Sequence, residues 1–574
     1  MAYFLKKSNL KKGVYLQIYE SFYDPMRNGT AHKSYKALGY VHELQAAGME
    51  DPITHYRMEV ERMNRARRME KEQKRIQEIG EATPEKILGY FPLRNINEGL
   101  DVKRHMDLLQ KGTSLQFNVY SMLSALIYAR VIDPGSKSRT YEEVLPKLFE
   151  GTGYTMNQLY SGLSYMGEEY EKIIEIYNHQ IGEKYSFDTK HTYFDCTNFY
   201  FEIDKEDDLR RNGPGKENRN TPIVGLGLLL DANQIPIGMK LYPGNESEQP
   251  VIREVIAEMK ARNNVKGKTI RVADKGLNCA ENISHTLKSG DGYIFSKSVK
   301  RLSKKEQEWL LLDSGYRDAL GPKGELLSRT KSCVDIFPYS YTDKSGNKVS
   351  AKIREKRVVT YNPSLATKQI LEIRKQAEKA RLLKNCRAKR SEYGSCAKYI
   401  QFIATDKKGK ITEDKIQAVI NEEAIQKDIA LAGYNLLVTS EVHMDEHAIC
   451  LAYRNLWRIE ESFRIMKSQL DARPVYLQKR ETITAHFLIC YLAVLLVRIL
   501  QILILGDAFG SETLFSFMRQ FKVVKISDST YINNTRSTPF LKALAASTAL
   551  PLSSFYLSNS QINAILNHRF NDWV

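Results

Sequence analysis

Residues His486 to Leu505 read HFLICYLAVLLVRILQILIL, an apolar run interrupted by one arginine, Arg498. The run approaches the length that a bilayer requires, but an arginine well inside it is costly in lipid. No second run of this kind accompanies it. It therefore reads as a central helix, buried on most sides within a large core, and not as a membrane anchor. The chain of 574 residues is long enough for three or four domains around such a core.

A hydrophobic content of 42% and a charged content of 27% are those of a folded soluble protein. The start, MAYFLKKSNLKKGVYLQIYE, lacks the apolar core of a signal peptide. Seven cysteines without a close Cys-x-x-Cys pair exclude zinc-finger spacing and suggest reduced thiols in a cytosolic compartment. The formal charge of +17 favours a polyanionic partner, nucleic acid ahead of a membrane surface or an acidic protein.

Residues 13–40 alternate as strands, with hairpin chemistry at Arg27-Asn28-Gly29, and residues 54–82 read as an exposed charged helix. Residues 1–90 form a first region of β-hairpin and charged helix. Residues 91–187 form a second, helical and expected to bind DNA, with a break at Asp133-Pro134-Gly135-Ser136-Lys137-Ser138. From 188 to 299 the pattern changes. Strands are expected at His191 to Ile203, Ile223 to Leu230, Ile235 to Leu241, Thr269 to Ala273 and Tyr293 to Ser296, with a helix from Glu248 to Arg262. That order fits a mixed α/β layer. Residues 300–432 mix strand-like pieces with a basic helix and read as a β-rich insertion inside one domain. The core pattern resumes over 433–510, and 511–574 reads as a helical tail.

Within the resumed core, Tyr453 to Lys467 reads YRNLWRIEESFRIMK. On a helix, Ala452, Leu456, Ile459, Phe463, Met466 and Leu470 form an apolar stripe at spacings of four and three. Tyr453, Glu460 and Lys467, spaced by seven, line the edge of that stripe. Glu461 falls a further 100° or so around, toward solvent, so Glu460 is the carboxylate of interest. The plain alternative is that Glu460 pairs with Arg464 one turn on.

Asp195 and Asp274 each sit in, or at the end of, an otherwise apolar strand. A carboxylate buried without partners is expensive, and singly each would be a cap or half of an ion pair. Two on neighbouring strands with a third on a packed helix suggest a pair of Mg²⁺ ions, hard cations that take oxygen ligands. Two such metals about 4 Å apart activate a water or hydroxyl and stabilise the leaving oxygen of a phosphodiester.

Asp195 in YFDCTNFYFE, Asp274 in RVADKGLNC and Glu460 in LWRIEESFRIMK resemble the DDE triad of insertion-sequence transposases. The chain is similar to the branch that carries a Tyr-Arg-Glu-Lys helix and a β-rich insertion before the Glu. GPGKENRN (213–220), IPIGMKLYPGNESE (235–248) and RPVYLQ with the later ITAHF share the family's texture, and the resemblance spans roughly residues 190 to 500. It implies a ribonuclease-H-like α/β core, a mixed sheet with flanking helices, interrupted by the insertion and preceded by the β-hairpin and helical regions. Asp195, Asp274 and Glu460 would ligate two Mg²⁺ ions, with Mn²⁺ as a substitute. Tyr453 and Lys467 match residues that contact DNA phosphates in that branch. The family's Arg falls on Leu456 here, so its contact is either absent or taken over by Arg454, Arg458 or Arg464. Lys216 and Arg219, in a Gly- and Asn-rich loop, are further candidates for the phosphate backbone. Trp309, in the insertion, is either a holder of a flipped base or part of a packed core.

The expected activity is binding of terminal inverted repeats, metal-dependent cleavage to a 3′-hydroxyl, and transfer of that hydroxyl to target DNA. The partners would be double-stranded DNA, at the element ends and the target, and a second copy of the chain. A bacterial cytoplasm, at the nucleoid, is the implied location, without a membrane partner. The alternatives are a catalytically inactive DNA-binding derivative and a structure-selective nuclease on the same core.

Overall fold

Alternation in the first strands and a half-apolar helix build the N-terminal part. Strands Tyr3–Leu10, Gly13–Asp24 and Gly29–Tyr40 form an antiparallel sheet. The helix Pro52–Arg75 lies on one face of it, burying Leu16, Ile18 and Val60. Asn64 exchanges two hydrogen bonds with the Tyr3 backbone, and Arg67 pairs with Glu20 at 2.8 Å. The computed structural model describes residues 2–24, 29–75, 83–203, 205–213, 221–262, 268–343, 345–384, 390–405 and 411–570. The expected turn at Arg27 and Asn28 lies outside them. The chain divides into two units, Met1–Thr83 and Pro84–Val574.

In the larger unit a single sheet runs through the middle. Its strand order is Arg317–Leu320, Leu326–Thr342, Lys348–Tyr361, Tyr434–Thr439, Gly292–Lys297, Ile270–Ala273, His191–Tyr200, Ile223–Leu230 and Pro236–Pro243. The Ile270–Ala273 strand is parallel to both of its neighbours, and the other pairings are antiparallel. The strands expected from 188 to 299 are therefore present within a few residues of their predicted ends. Within the piece expected to be an insertion, Lys348–Tyr361 pairs with Tyr434–Thr439 and extends the core sheet. The helix Pro363–Lys384, the helical stretch Arg390–Tyr399, the hairpin Ile400–Thr405 with Ile411–Ile420, and the helix Glu422–Ala430 surround a small core of their own.

Helices cover both faces of the sheet. One face packs on Glu248–Arg262, Ala280–Lys288 and Lys304–Leu311 through Val251, Ile252, Ile283 and Leu310. The other packs on the central helix Arg480–Arg498 and its continuation Ile499–Ile504. Of the most apolar window of this helix, 89% is buried inside the protein. Helices between Phe91 and Gly182 wrap the far side of it. The C-terminal tail departs from the helical expectation. Lys522–Ser527, Thr530–Asn533 and Tyr556–Ser558 join Glu85–Ile87 in a four-stranded sheet. Strands of three to six residues carry too little alternation to be read, and one partner is more than 400 positions away.

The hairpin turn at Asp231-Ala232-Asn233-Gln234 holds a buried carboxyl. Asp231 accepts from the Ile235 amide at 2.8 Å and from the Tyr185 hydroxyl at 3.2 Å. Burial outweighs those bonds and pushes its carboxyl up from 3.8 to about 7. A carboxyl whose folded value is raised contributes stability below its unfolded value and loses it as pH climbs through the folded one. Relative to Asp231→Asn, the wild type should thus lose up to about 1.4 kcal/mol of stability per pH unit between roughly pH 4 and 7. Urea midpoints of both proteins across that range check it, and parallel profiles would refute it.

Candidate active site

Two parallel strands bring the aspartates side by side. His191, Thr192 and Tyr193 pair with Ile270, Arg271 and Val272, an offset of 79 (270 minus 191). Asp195 and Asp274 differ by the same 79 and lie two positions beyond the last paired residues, Asp195 within its strand and Asp274 directly after the end of its own, at the same end of two neighbouring parallel strands. Both fall on the face toward the central helix. Tyr193, Phe199 and Val272, in phase with them, belong to that core, whereas Phe194, Cys196 and Ala273, out of phase, belong to the other. Both aspartates are half-buried. The Cys196 amide donates to Asp195 Oδ1 at 2.8 Å. The turn after Asp274 is closed by the Leu277 amide donating to the Asp274 carbonyl, and Asn278 donates to the Ser296 carbonyl at 2.8 Å.

Tyr453 ties this pair to the helices above. Its hydroxyl donates to Asp274 Oδ1 at 3.0 Å. Burial first, then the nearby charges of Asp274 and Asp195, push the phenol above its ordinary range. The phenol thus hydrogen-bonds one carboxylate and feels the charge of the other.

The segment that carries Glu460 differs from the single helix expected. Glu446–Arg454 ends, a turn at Asn455 and Leu456 follows, Trp457–Arg464 resumes, and a wider-turned stretch runs over Ile465–Gln469. Leu456, Arg458 and Ile459 donate to carbonyls three residues back, which overwinds the chain there. Asn455 meanwhile hydrogen-bonds the Tyr193 side chain. The line through Tyr453, Glu460 and Lys467 is accordingly broken, although every residue of the apolar stripe is buried. Glu460 is exposed, on a helix packed against the Asp195 strand. Glu461 is not on the solvent side as expected. It is 8% exposed, and the buried Arg498 donates to it at 3.0 Å. A fully buried guanidinium needs a counter-charge, and that need overrides the helical phase.

Lys467 lies 5.5 Å from the centre of the Phe199 ring, on the Asp195 strand and in phase with Asp195. Arg458 and Arg464 gather instead on the Glu461 side, where they pair with Asp507 at 2.6 Å and Glu512 at 3.3 Å. Lys216 and Arg219 lie outside the described residues. Trp309 is packed into the second core, with Lys331 over its ring at 5.0 Å.

A cleft of ≈ 530 Å³ opens beside Asp274 and Tyr453. Lys275, Lys297, Lys300 and Lys398 line it, facing Glu372 and Asp428. Lys300 is paired with Asp428 at 2.6 Å. These lysines were not singled out in the sequence, although Lys275 directly follows Asp274 and Lys297 ends the Gly292–Lys297 strand. Among the described residues no group of three or more His, Cys, Asp or Glu side chains comes together as a metal site. The donor chemistry of Asp195 and Asp274 nonetheless fits Mg²⁺, which takes one or two carboxylates and fills its other positions with water and phosphate.

A family model described as "Transposase DDE domain" matches residues 194–496, more than half of the chain. No curated protein matches the chain in sequence. Among solved structures, one titled "Cryo-EM structure of piggyBac transposase synaptic complex with hairpin DNA" aligns at a TM-score of 0.34 and 10% identity. The alignment covers 75% of this chain and 77% of that one.

Proposed function

The chain belongs to the transposase DDE domain family, and we propose that it is an active transposase that cuts and joins DNA at the aspartate pair. The observation that carries the proposal is the position of Asp195 and Asp274 at the same end of two paired parallel strands, with the Tyr453 hydroxyl on Asp274. On this reading the mixed sheet from His191 to Lys297 with Tyr434–Thr439 is a ribonuclease-H-like core. Asp195 and Asp274 hold divalent cation, two Mg²⁺ ions in the full complex with Mn²⁺ as a substitute, and Glu460 completes the ligand set when DNA is bound. When bound, the metal supplies a more acidic water or hydroxyl nucleophile and charge stabilisation at the leaving oxygen. Tyr453 fixes the orientation of the Asp274 carboxylate through its hydrogen bond. Lys467, half-buried along the Asp195 strand, and the cleft lysines attract the phosphate backbone toward the pair.

The substrate is double-stranded DNA, first the terminal inverted repeats and then a target, handled by a dimer in a bacterial cytoplasm. Arg458 or Arg464 would serve the backbone only after exchanging its present acidic partner for a phosphate. A second reading, a DNA-binding derivative without activity, draws on the exposed position of Glu460 outside any three-donor group.

The deciding experiment incubates the purified chain with duplex DNA cut from the sequence flanking its gene, with Mg²⁺ or with chelator. Mg²⁺-dependent 3′-hydroxyl ends together with joined products are expected. Binding without cleavage would establish the inactive derivative, and cleavage without joining a structure-selective nuclease.

A further inference from the structure

The sheet of the N-terminal unit has two faces, and the helix Pro52–Arg75 covers only one of them. On the covered face Leu16 and Ile18 are buried, Arg67 stacks over Tyr3 at 4.9 Å and pairs with Glu20, and Lys33 also reaches Glu20. Alternation and register assign the opposite face. Phe4 pairs with Tyr19, Lys6 with Gln17, Tyr15 with Tyr40, and Ser21 with His32. Ring contacts agree with that assignment: Phe4 to His32 at 5.0 Å, Tyr15 to Tyr40 at 4.9 Å, and Lys6 over Tyr19 at 4.5 Å. Among the described residues this face carries no carboxylate, because Glu20 and, by alternation, Asp24 belong to the covered one. The exposed pair Lys11 and Lys12 forms the turn at the end of the first hairpin.

We propose that this open face is a docking surface for duplex DNA, lying in the major groove with Lys6, Gln17 and His32 toward the bases and Lys11 and Lys12 at the phosphates. The inference rests on the transposase reading and gives that activity a means of holding its substrate. Charge complementarity selects a polyanion, since the face presents cation without acid. Ring geometry selects duplex over single strand. The rings lean on one another at 79° and 74°, and Lys6 caps Tyr19, so the face offers hydroxyl, amide, imidazole and ammonium groups in place of open rings for base stacking. Three strands about 4.8 Å apart measure about 10 Å across, against a major groove about 12 Å wide.

The test measures fluorescence anisotropy of the full chain with a labelled duplex from the gene's flanking DNA, over a salt series. Lys6→Gln combined with Gln17→Ala should weaken binding at least tenfold, and Lys11→Gln combined with Lys12→Gln should lower the salt slope by about two, the share of two lysine–phosphate contacts. His32→Ala alone should weaken it several-fold. Lys7→Gln, on the covered side, should change neither quantity. Asp195→Ala should bind as the wild type does, which separates docking from chemistry. Unchanged binding by the face variants would overturn the surface while leaving the cleavage reading intact. Tighter binding of single-stranded DNA or RNA of the same sequence would overturn the choice of duplex. A wild type that binds no duplex would overturn both readings.

Discussion

Asp195→Ala and Asp274→Ala are each expected to reduce Mg²⁺-dependent strand cleavage by more than about 10³-fold, given that removing one preorganised electrostatic donor already costs an enzyme about 10²–10³. The loss should exceed that because each aspartate is half of the pair. With one gone, the survivor offers a single carboxylate, and the binding of cation and the charge stabilisation fall together. Asparagine should serve little better, since it keeps the shape but not the charge. Tyr453→Phe removes one hydrogen bond to Asp274 and leaves both carboxylates. Its loss should be about 10–100-fold, the usual effect of a group that orients a ligand, and raised Mg²⁺ should partly rescue it. Duplex binding measured alongside should be unchanged in all three variants. Cleavage retained by either alanine variant would remove the aspartate pair from the chemistry.

The pairing of the two strands that carry the aspartates was legible because register is a property of spacing. Apolar strands at 191–203 and 269–273, the first broken by Asp195 and the second ended by Asp274, already contain the 79-residue offset that the parallel pairing uses. The hairpin from Ile223 to Pro243 and the helix Glu248–Arg262 were legible for a similar reason, since each is decided by its own residues. What failed to show depends on residues far along the chain. The extension of the core sheet by Lys348–Tyr361 requires Tyr434–Thr439 as its partner, and the tail strands require Glu85–Ile87. The turn at Asn455 and Leu456 interrupts an unbroken helical periodicity because Asn455 finds the Tyr193 side chain on another strand. Likewise Arg458 and Arg464 read as candidates for a phosphate only while Asp507 and Glu512 are out of view.

The arginine within the apolar run has its own large consequence. Arg498 is 0% exposed, and its Nη1 donates to Glu461 Oε2 at 3.0 Å and to Gln501 Oε1 at 2.9 Å. Among the described residues its Nε and Nη2 atoms meet no acceptor. One carboxylate thus offsets a whole desolvated guanidinium, and that carboxylate is the neighbour of Glu460. Removing Glu461 leaves the buried guanidinium without its carboxylate, so Glu461→Leu should cost about 3–5 kcal/mol, whereas Arg498→Met should cost less because Glu461 keeps Arg458 at 3.6 Å and Arg464 at 4.0 Å. Arg498→Met bears on function as well, because a Glu461 held only by the more exposed Arg458 and Arg464 would draw Trp457–Arg464 toward water and carry Glu460 with it. The double variant should lose far less than the sum of the two, because a well-packed apolar pair in place of a buried ion pair is often neutral or stabilising. Urea-induced loss of the folded signal across the three proteins, read together with Mg²⁺-dependent cleavage, tests both halves. Additive losses would show that Arg498 and Glu461 act independently. Full cleavage by a folded Arg498→Met protein would show that Glu460 does not depend on the buried pair for its position.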